Sequence, residues 1–325
     1  MTVTLKALAE LSGCSIRTVN RVIWHSGPVA AEKRERIEAL LQEHHYVPNM
    51  AARNLKQSRR KFAGVIINEG TTVQIFLRKL SDLVNTLEGQ GLYPLLGRPV
   101  SDSIQLECLM SEWTGLVNHI IFMYMPNAQI CAKLTELSER YGMHFTIIDA
   151  EGAVPAGCSA LRVDRGAGIT EAIMKLYAMG HRRIMRVGNV ETRDSGWKNA
   201  RAKLRHKECF AHMVIQPECD IVETATTAIF GGQPDAIVCD TDRAAAGILR
   251  AATQKGIAIP ENVSLVGFDD DPMATMLTPR LASIAHPLEE INTAAAEIVA
   301  CGDNFKCIDK TFPTRFILRD SVRAR

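Results

Sequence analysis

From Phe62 onward, short apolar runs alternate with stretches of helical spacing, and nothing else in the chain restricts the fold so tightly. FAGVII (62–67), YPLLG (93–97), HIIFMY (119–124) and HFTIID (144–149) read as strands. Helical stretches at 75–89, 103–113 and 127–141 separate them. A second series comes next: helix 166–179, RRIMRVG (182–188), helix 194–206, AIVCD (236–240), helix 242–255 and VSLVGF (263–268). Strands that alternate with helices form a parallel sheet covered on both faces. Two tandem series predict two doubly wound subdomains, with a ligand cleft between them or at their strand ends.

The preceding residues have a different texture. Three short helices are expected within 4–45. Leu5, Leu8, Ala9 and Leu11 lie at helical spacing, and Gly13 breaks the run. Ser15 is an N-cap for a second helix bearing Val19, Val22 and Ile23. A third turns Ile37, Leu40 and Leu41 inward and stops at Tyr46-Val47-Pro48. NMAARNL (49–55) is a short amphipathic piece, and KQSRRK (56–61) is a basic linker.

The charge is divided in the same place. Residues 1–61 carry 11 Lys and Arg against 5 Asp and Glu, and the remainder 27 against 31. A basic head on a mildly acidic body suggests a polyanionic partner for the head. The segment TLKALAELSGCSIRTVNRVI (4–23) fits helix–turn–helix. Its second helix presents Ile16, Arg17, Asn20 and Arg21 outward, where N-terminal residues can reach major-groove base edges. A structural helical hairpin with solvated arginines shares this pattern.

Residues 49–61 narrow the choice. Helix–turn–helix, then Asn49-Met-Ala-Ala52-Arg53-Asn-Leu55, then a basic linker resembles the headpiece of the LacI/GalR repressor family. GHRRI (180–184), PDAIVCDTDRAAAG (234–247), GIAIPENVSLVGFDD (256–270) and PTRFILRDS (313–321) resemble further family motifs in the same order. The resemblance implies a helix–turn–helix domain over 1–46, a hinge helix and linker over 47–61, and an effector-binding domain over 62–325. That domain would have the periplasmic-binding-protein-like α/β fold. Its N-subdomain is expected at about 62–160 and 287–308, and its C-subdomain at about 161–286 and 309–325.

The same resemblance implies a repressor that binds a pseudo-palindromic double-stranded DNA operator as a homodimer. Thr4, Ser15, Ile16, Arg17, Asn20, Arg21, Asn49, Ala52, Arg53 and Leu55 are its expected DNA contacts. Leu55 would wedge between base steps in the minor groove, trading unstacking for a bent, better-wrapped site. A seven-residue helix is too short to persist alone in water, so the hinge should order only on DNA. No cofactor is expected, but a small-molecule effector is, a sugar or a derivative of one. Asn68, Phe76, Asp164, Arg193, Trp197 and Asp242 are its expected contacts, Asp242 doubling as a possible helix N-cap. Asp269 and Asp270 read as structural loop residues.

Some positions depart from the family pattern. Ala30 stands where a Ser or Thr cap is usual, Asn20 replaces a Ser, Thr241 an Asn and Thr192 a Glu. Residues 201–233 are irregular where a clean helix–loop–strand is usual.

Other function classes find little support. G-x-S-x-G, H-E-x-x-H, P-loop and G-x-G-x-x-G motifs are absent. His181 reads as part of a strand-entry turn rather than as a general base. The N-terminus is no signal peptide, no stretch is continuously apolar over the length a membrane span needs, and no heptad helix closes the chain. A cytoplasmic dimer with no membrane segment and no metal is the expectation. Nine cysteines without metal-ligand spacing agree, Cys108, Cys131, Cys158, Cys239 and Cys301 reading as buried thiols.

Overall fold

The computed structural model describes residues 4–23, 26–44, 46, 62–67, 74–188, 190–204, 210–213, 231, 233–302 and 305–325. Two compact units are present, Met1–Arg59 and Arg60–Arg325.

In the first unit, α1 (Leu5–Ser12), α2 (Ile16–Ile23) and α3 (Ala31–Glu43) enclose Leu8, Ala9, Val19, Val22 and Ile37. The turn between α1 and α2 depends on Gly13, whose φ of 66° lies in the left-handed region that a glycine adopts without steric cost. Leu11, though at helical spacing, is exposed, because the face of α1 turned to the core carries Leu8, Ala9 and Ser12.

The second unit holds two six-stranded sheets. In the first, β1 (Phe62–Ile66), β2 (Tyr93–Gly97), β3 (Val117–Phe122), β4 (His144–Ile148), β5 (Cys158–Asp164) and β11 (Asp309–Pro313) are all parallel, in the order β11-β5-β4-β3-β1-β2. Helices α5 (Ser103–Trp113) and α6 (Ala128–Tyr141) cover one face. Helices α4 (Gln74–Gly89) and α11 (Leu288–Ala300) cover the other.

The second sheet has the order β12-β10-β9-β8-β6-β7. Its strands are β6 (Ile184–Val187), β7 (Phe210–Met213), β8 (Ala236–Cys239), β9 (Ser264–Asp269), β10 (Ala282–Ala285) and β12 (Arg315–Ile317). Only β12 runs antiparallel. Helices α7 (Arg165–Ala178) and α8 (Asp194–Lys203) pack on one face, α9 (Asp242–Gln254) and α10 (Met273–Met276) on the other.

The lobes exchange strands later than the sequence suggested. β5 stays in the first sheet through Asp164, and β11 pairs with it through Pro313. The crossovers therefore fall at 164/165 and 313/315, not near 160 and 308. A backbone clip joins them. Thr314 N and Oγ1 both donate to the Asp164 carbonyl, at 3.0 and 2.9 Å, and Gly168 N donates to Thr314 Oγ1 at 2.9 Å. Cys108 and Cys301 are exposed and Cys131 is half-buried, contrary to expectation: Cys108 lies on the solvent side of mid-α5, and Cys301 follows the last turn of α11.

Candidate functional site

The head presents the surface expected of it. Thr4 Oγ1 accepts from Ala7 N at 3.2 Å and Ser15 Oγ from Thr18 N at 3.2 Å, so both hydroxyls cap helix starts. Val19 and Val22 point into the core. On the opposite side Ile16 and Arg17 stand exposed at the first turn of α2, with Asn20 and Arg21 half-buried beside them. Asn49, Ala52, Arg53 and Leu55 lie outside the described residues, as does Asn68.

In the second unit the carboxyl ends of the parallel strands converge on a group of charged side chains, where open α/β sheets place their ligands. Asp149 follows β4, Asp269 ends β9 and His286 follows β10. Lys79, on α4 of the first lobe, reaches Asp149 Oδ2 at 2.8 Å, and Arg165, at the head of α7 just past the crossover, reaches the same oxygen at 2.9 Å. From the second lobe, Arg193 Nη2 donates to Asp269 Oδ1 at 3.3 Å and His286 Nε2 lies 3.3 Å from that oxygen. The Arg193 guanidinium lies 3.9 Å over the Phe268 ring, a cation–π contact.

Electrostatics tie the two halves together. Burial alone would raise the Asp149 carboxyl, but Lys79 and Arg165 outweigh it and hold Asp149 below its ordinary range. Burial draws the Arg193 guanidinium down against the pull of Asp269, with Arg165 adding to the fall. Burial also lowers His286, opposed mainly by Asp269, so its ring is neutral at neutral pH. Asp149, Asp269 and Asp270 have φ of 59°, 105° and 50°, left-handed backbone that side-chain-bearing residues adopt only under constraint.

Several buried polar atoms here have no partner among the described residues: Arg193 Nε and Nη1, His286 Nδ1 and Asp149 Oδ1. Each costs free energy until something bonds to it. Alongside lies a cleft of about 360 Å³ whose lining includes Phe76, Met123, Tyr124, Lys79, Asp149 and Arg165.

The expected cleft residues separate into two sets. Phe76 lines the cleft and Arg193 lies in the charged group. The other three do structural work. Asp164 Oδ1 caps α7 by accepting from Ala167 N at 3.0 Å. Trp197, on α8, packs half-buried against the second-lobe core. Asp242 is almost fully buried, with Ser283 Oγ donating to Oδ1 at 2.5 Å and Asp271 N to Oδ2 at 2.7 Å. Nor does Asp242 cap its helix, because Thr241 Oγ1 accepts from Ala244 N at 3.0 Å in that role.

Asp269, read from sequence as a loop residue, is instead the carboxylate facing Arg193 and His286. Lys79, Asp149, Arg165 and His286 were missed. The signal for Asp149 was present, an acidic residue closing an apolar strand. His181 is buried in its turn, with Nε2 3.0 Å from the Arg323 carbonyl.

A helix–turn–helix head followed by a two-lobed α/β core with a polar cleft at its strand ends defines a class of DNA-binding regulator with a ligand-binding core. Residues 4–49 match the family of bacterial regulatory proteins of lacI type, and residues 173–322 match the periplasmic binding protein-like domain. The chain thus carries the DNA-binding domain of the lacI family and a periplasmic binding protein-like domain, and its relatives are LacI/GalR-type transcription regulators. It is 26% identical over 312 residues to the HTH-type transcriptional repressor PurR of Vibrio atlanticus, covering 91% of this chain and 90% of that one. The lac repressor dimer bound to operator and the anti-inducer ONPF shares the fold, with a TM-score of 0.78, 19% identity and full coverage of both chains. A LacI family regulator from Enterococcus faecium with bound ribose has a TM-score of 0.67 and 22% identity, over 82% of this chain and all of that one. Among the described residues no helix is long and apolar enough to cross a membrane, and no group of His, Cys, Asp and Glu could hold a metal.

Proposed function

We propose that this regulator is a repressor that binds a pseudo-palindromic operator as a homodimer, its operator affinity set by a sugar or sugar derivative between the two lobes. The observation that carries the effector reading is the set of unpartnered buried atoms at the strand ends. Arg193 offers two donors, Asp149 an acceptor and His286 a ring nitrogen of either kind. A hydroxyl is both donor and acceptor, so a polyol can satisfy all of them at once. Phe76 and Tyr124 supply the apolar wall on which a sugar ring can lie. The ribose held by the Enterococcus faecium relative supports the same chemistry. Phe76, Lys79, Asp149, Arg165, Arg193, Asp269 and His286 are the proposed contacts, with Asp164, Trp197 and Asp242 shaping the lobe behind them.

On the DNA side, Ile16, Arg17, Asn20 and Arg21 would read the major groove, and Asn49, Ala52, Arg53 and Leu55 the minor groove. The dimer reading is supported by apolar side chains exposed around edge strand β2: Leu77, Tyr93, Leu96 and Ile104.

The test is a thermal-shift screen of monosaccharides, sugar acids and purines on the full chain, followed by operator binding with each hit. A ligand at 100 times its Kd adds about 2.7 kcal/mol of stability. A sugar that stabilises the wild type but not Arg193→Met supports the reading. A hit that stabilises both equally would place its site elsewhere.

A further inference from the structure

Three thiols gather at the edge of the first sheet, outside the lining of the cleft. There β11 pairs with β5, Asp309 opposite Ala160 and Thr311 opposite Arg162. Residues opposite one another on parallel strands project to the same face, with strands about 4.8 Å apart. The Arg162–Asp309 pair shows that side chains on this face reach across, with Nε to Oδ1 at 2.7 Å and Nη2 to Oδ2 at 2.8 Å. The ladder continues backward: Ala160 N donates to the Ile308 carbonyl at 2.8 Å and Ile308 N to Ser159 Oγ at 3.1 Å. One residue back from Ser159 and Ile308, just before the paired stretch, stand Cys158 and Cys307.

Their surroundings differ. Cys307 is exposed and Cys158 buried. Burial, with Cys307 and Cys131 adding, pushes the Cys158 thiol up to about 12, so each of those neighbours lies within its field. Cys131, on α6, is half-buried and directs its thiol to the Pro126 carbonyl at 3.3 Å.

We propose that Cys158 and Cys307 form an oxidisable dithiol, which a low-molecular-weight disulfide closes into an intrachain bond between β5 and β11. The exposed Cys307 thiolate attacks one sulfur of the external disulfide, releasing a thiol and leaving a mixed disulfide on Cys307. Cys158, giving up its thiol proton as it reacts, then attacks Cys307 Sγ and expels the second thiol. The protein gives up two electrons and two protons, and the reagent accepts them as two thiols. The bond staples edge strand β11 to the one neighbour it has in the described sheet. Both strands lead directly into the crossovers clipped by Thr314, so the modification sits on the strands that join the two lobes.

The test incubates the reduced full chain with glutathione disulfide and maps its peptides by mass spectrometry. The expected product is a peptide pair joined through Cys158 and Cys307, lighter by two hydrogens, free of glutathione and restored by dithiothreitol. Cys131→Ser should still form it, while Cys307→Ser should not. The oxidised wild type should also melt several degrees higher than the reduced form, a shift that Cys307→Ser lacks. A lasting glutathione adduct on Cys307 with Cys158 still free, or a bond from Cys158 to Cys131, would overturn the proposal.

Discussion

Arg193 commits one nitrogen to Asp269, Nη2 to Oδ1 at 3.3 Å, and keeps its other two unbonded while almost wholly buried. A guanidinium held this way is expensive to desolvate, and burial already draws its proton affinity down. Removing the carboxylate while leaving the cation should therefore harm the fold more than removing the cation. Asp269→Ala is expected to cost about 3 kcal/mol in chemical denaturation, the scale for a buried charge stripped of its partner. Arg193→Met should remain near wild-type stability yet lose the effector's influence on operator affinity, a coupling that typically amounts to about 5–150-fold. Equal stability loss in the two variants would contradict this reading of the pair.

Asp242 gives a pH signature with a definite sign. Burial lifts its carboxyl to about 7, against the bonds from Ser283 and Asp271, with Asp269 and Asp270 adding to the rise. In the unfolded chain it titrates near an ordinary value of about 3.9. Between those two values the folded state holds a proton that the unfolded state has released. Raising the pH from about 4 to about 7 therefore weakens the fold, and the full penalty stands above 7. Asp242→Asn should remove this contribution, because an amide can still accept from Asp271 N without carrying charge. Denaturation curves for the two proteins should diverge progressively across that window by up to a few kcal/mol, at about 1.4 kcal/mol per pH unit. Parallel curves from pH 4 to 8 would show that Asp242 carries no such penalty.

Asp242 and Asp269 also show where sequence reading ran out. Most strands in the middle of either sheet are short apolar runs, and alternation placed them within a residue or two. β5, β7, β10, β11 and β12 escaped notice, β7 because it lies in the irregular 201–233 stretch and the others for a physical reason. CSALRVD and ASIA are built of small or mixed residues, while DKTFP is an edge strand with only Phe312 buried. An edge strand need not be apolar, because one side of it meets solvent. Missing β5 and β11 is also what placed the lobe crossovers too early. In the site, the Arg193 motif was legible and its partner was not. Asp242 opens a helix and Asp269 ends a strand, and only the backbone decides which one faces Arg193. Asp269 does so through a left-handed φ, a conformation no sequence pattern announces.

The start of α3 carries a correctable weakness. Ala30 occupies the N-cap with φ −56° and ψ 137°, and no side chain accepts from the first-turn amides. The backbone already has the extended shape a capping Ser adopts. Ala30→Ser should therefore stabilise the head by about 1 kcal/mol without altering the face presented by Ile16 and Arg17. Thermal unfolding measures the gain, and operator affinity should stay within about twofold, since 1 kcal/mol of head stability matters little to a head already folded. A Ser that lowers the melting temperature would mean that the cap position is strained.

The strongest demand on the DNA reading falls on Leu55, which follows the basic head and precedes the linker. If it wedges between base steps, its methyl groups supply the interaction that offsets unstacking, a cost of a few kcal/mol per step. Leu55→Ala should then lose most of the preference for operator over random DNA. The cations of 1–61 are untouched, so non-specific binding and its steep fall with salt should persist. Gel-shift titrations on operator and scrambled duplexes at two salt concentrations separate these effects. Leu55→Ala that keeps its operator preference would remove the wedge from the mechanism. An equal loss on both duplexes would instead mark Leu55 as part of the head's general grip on DNA.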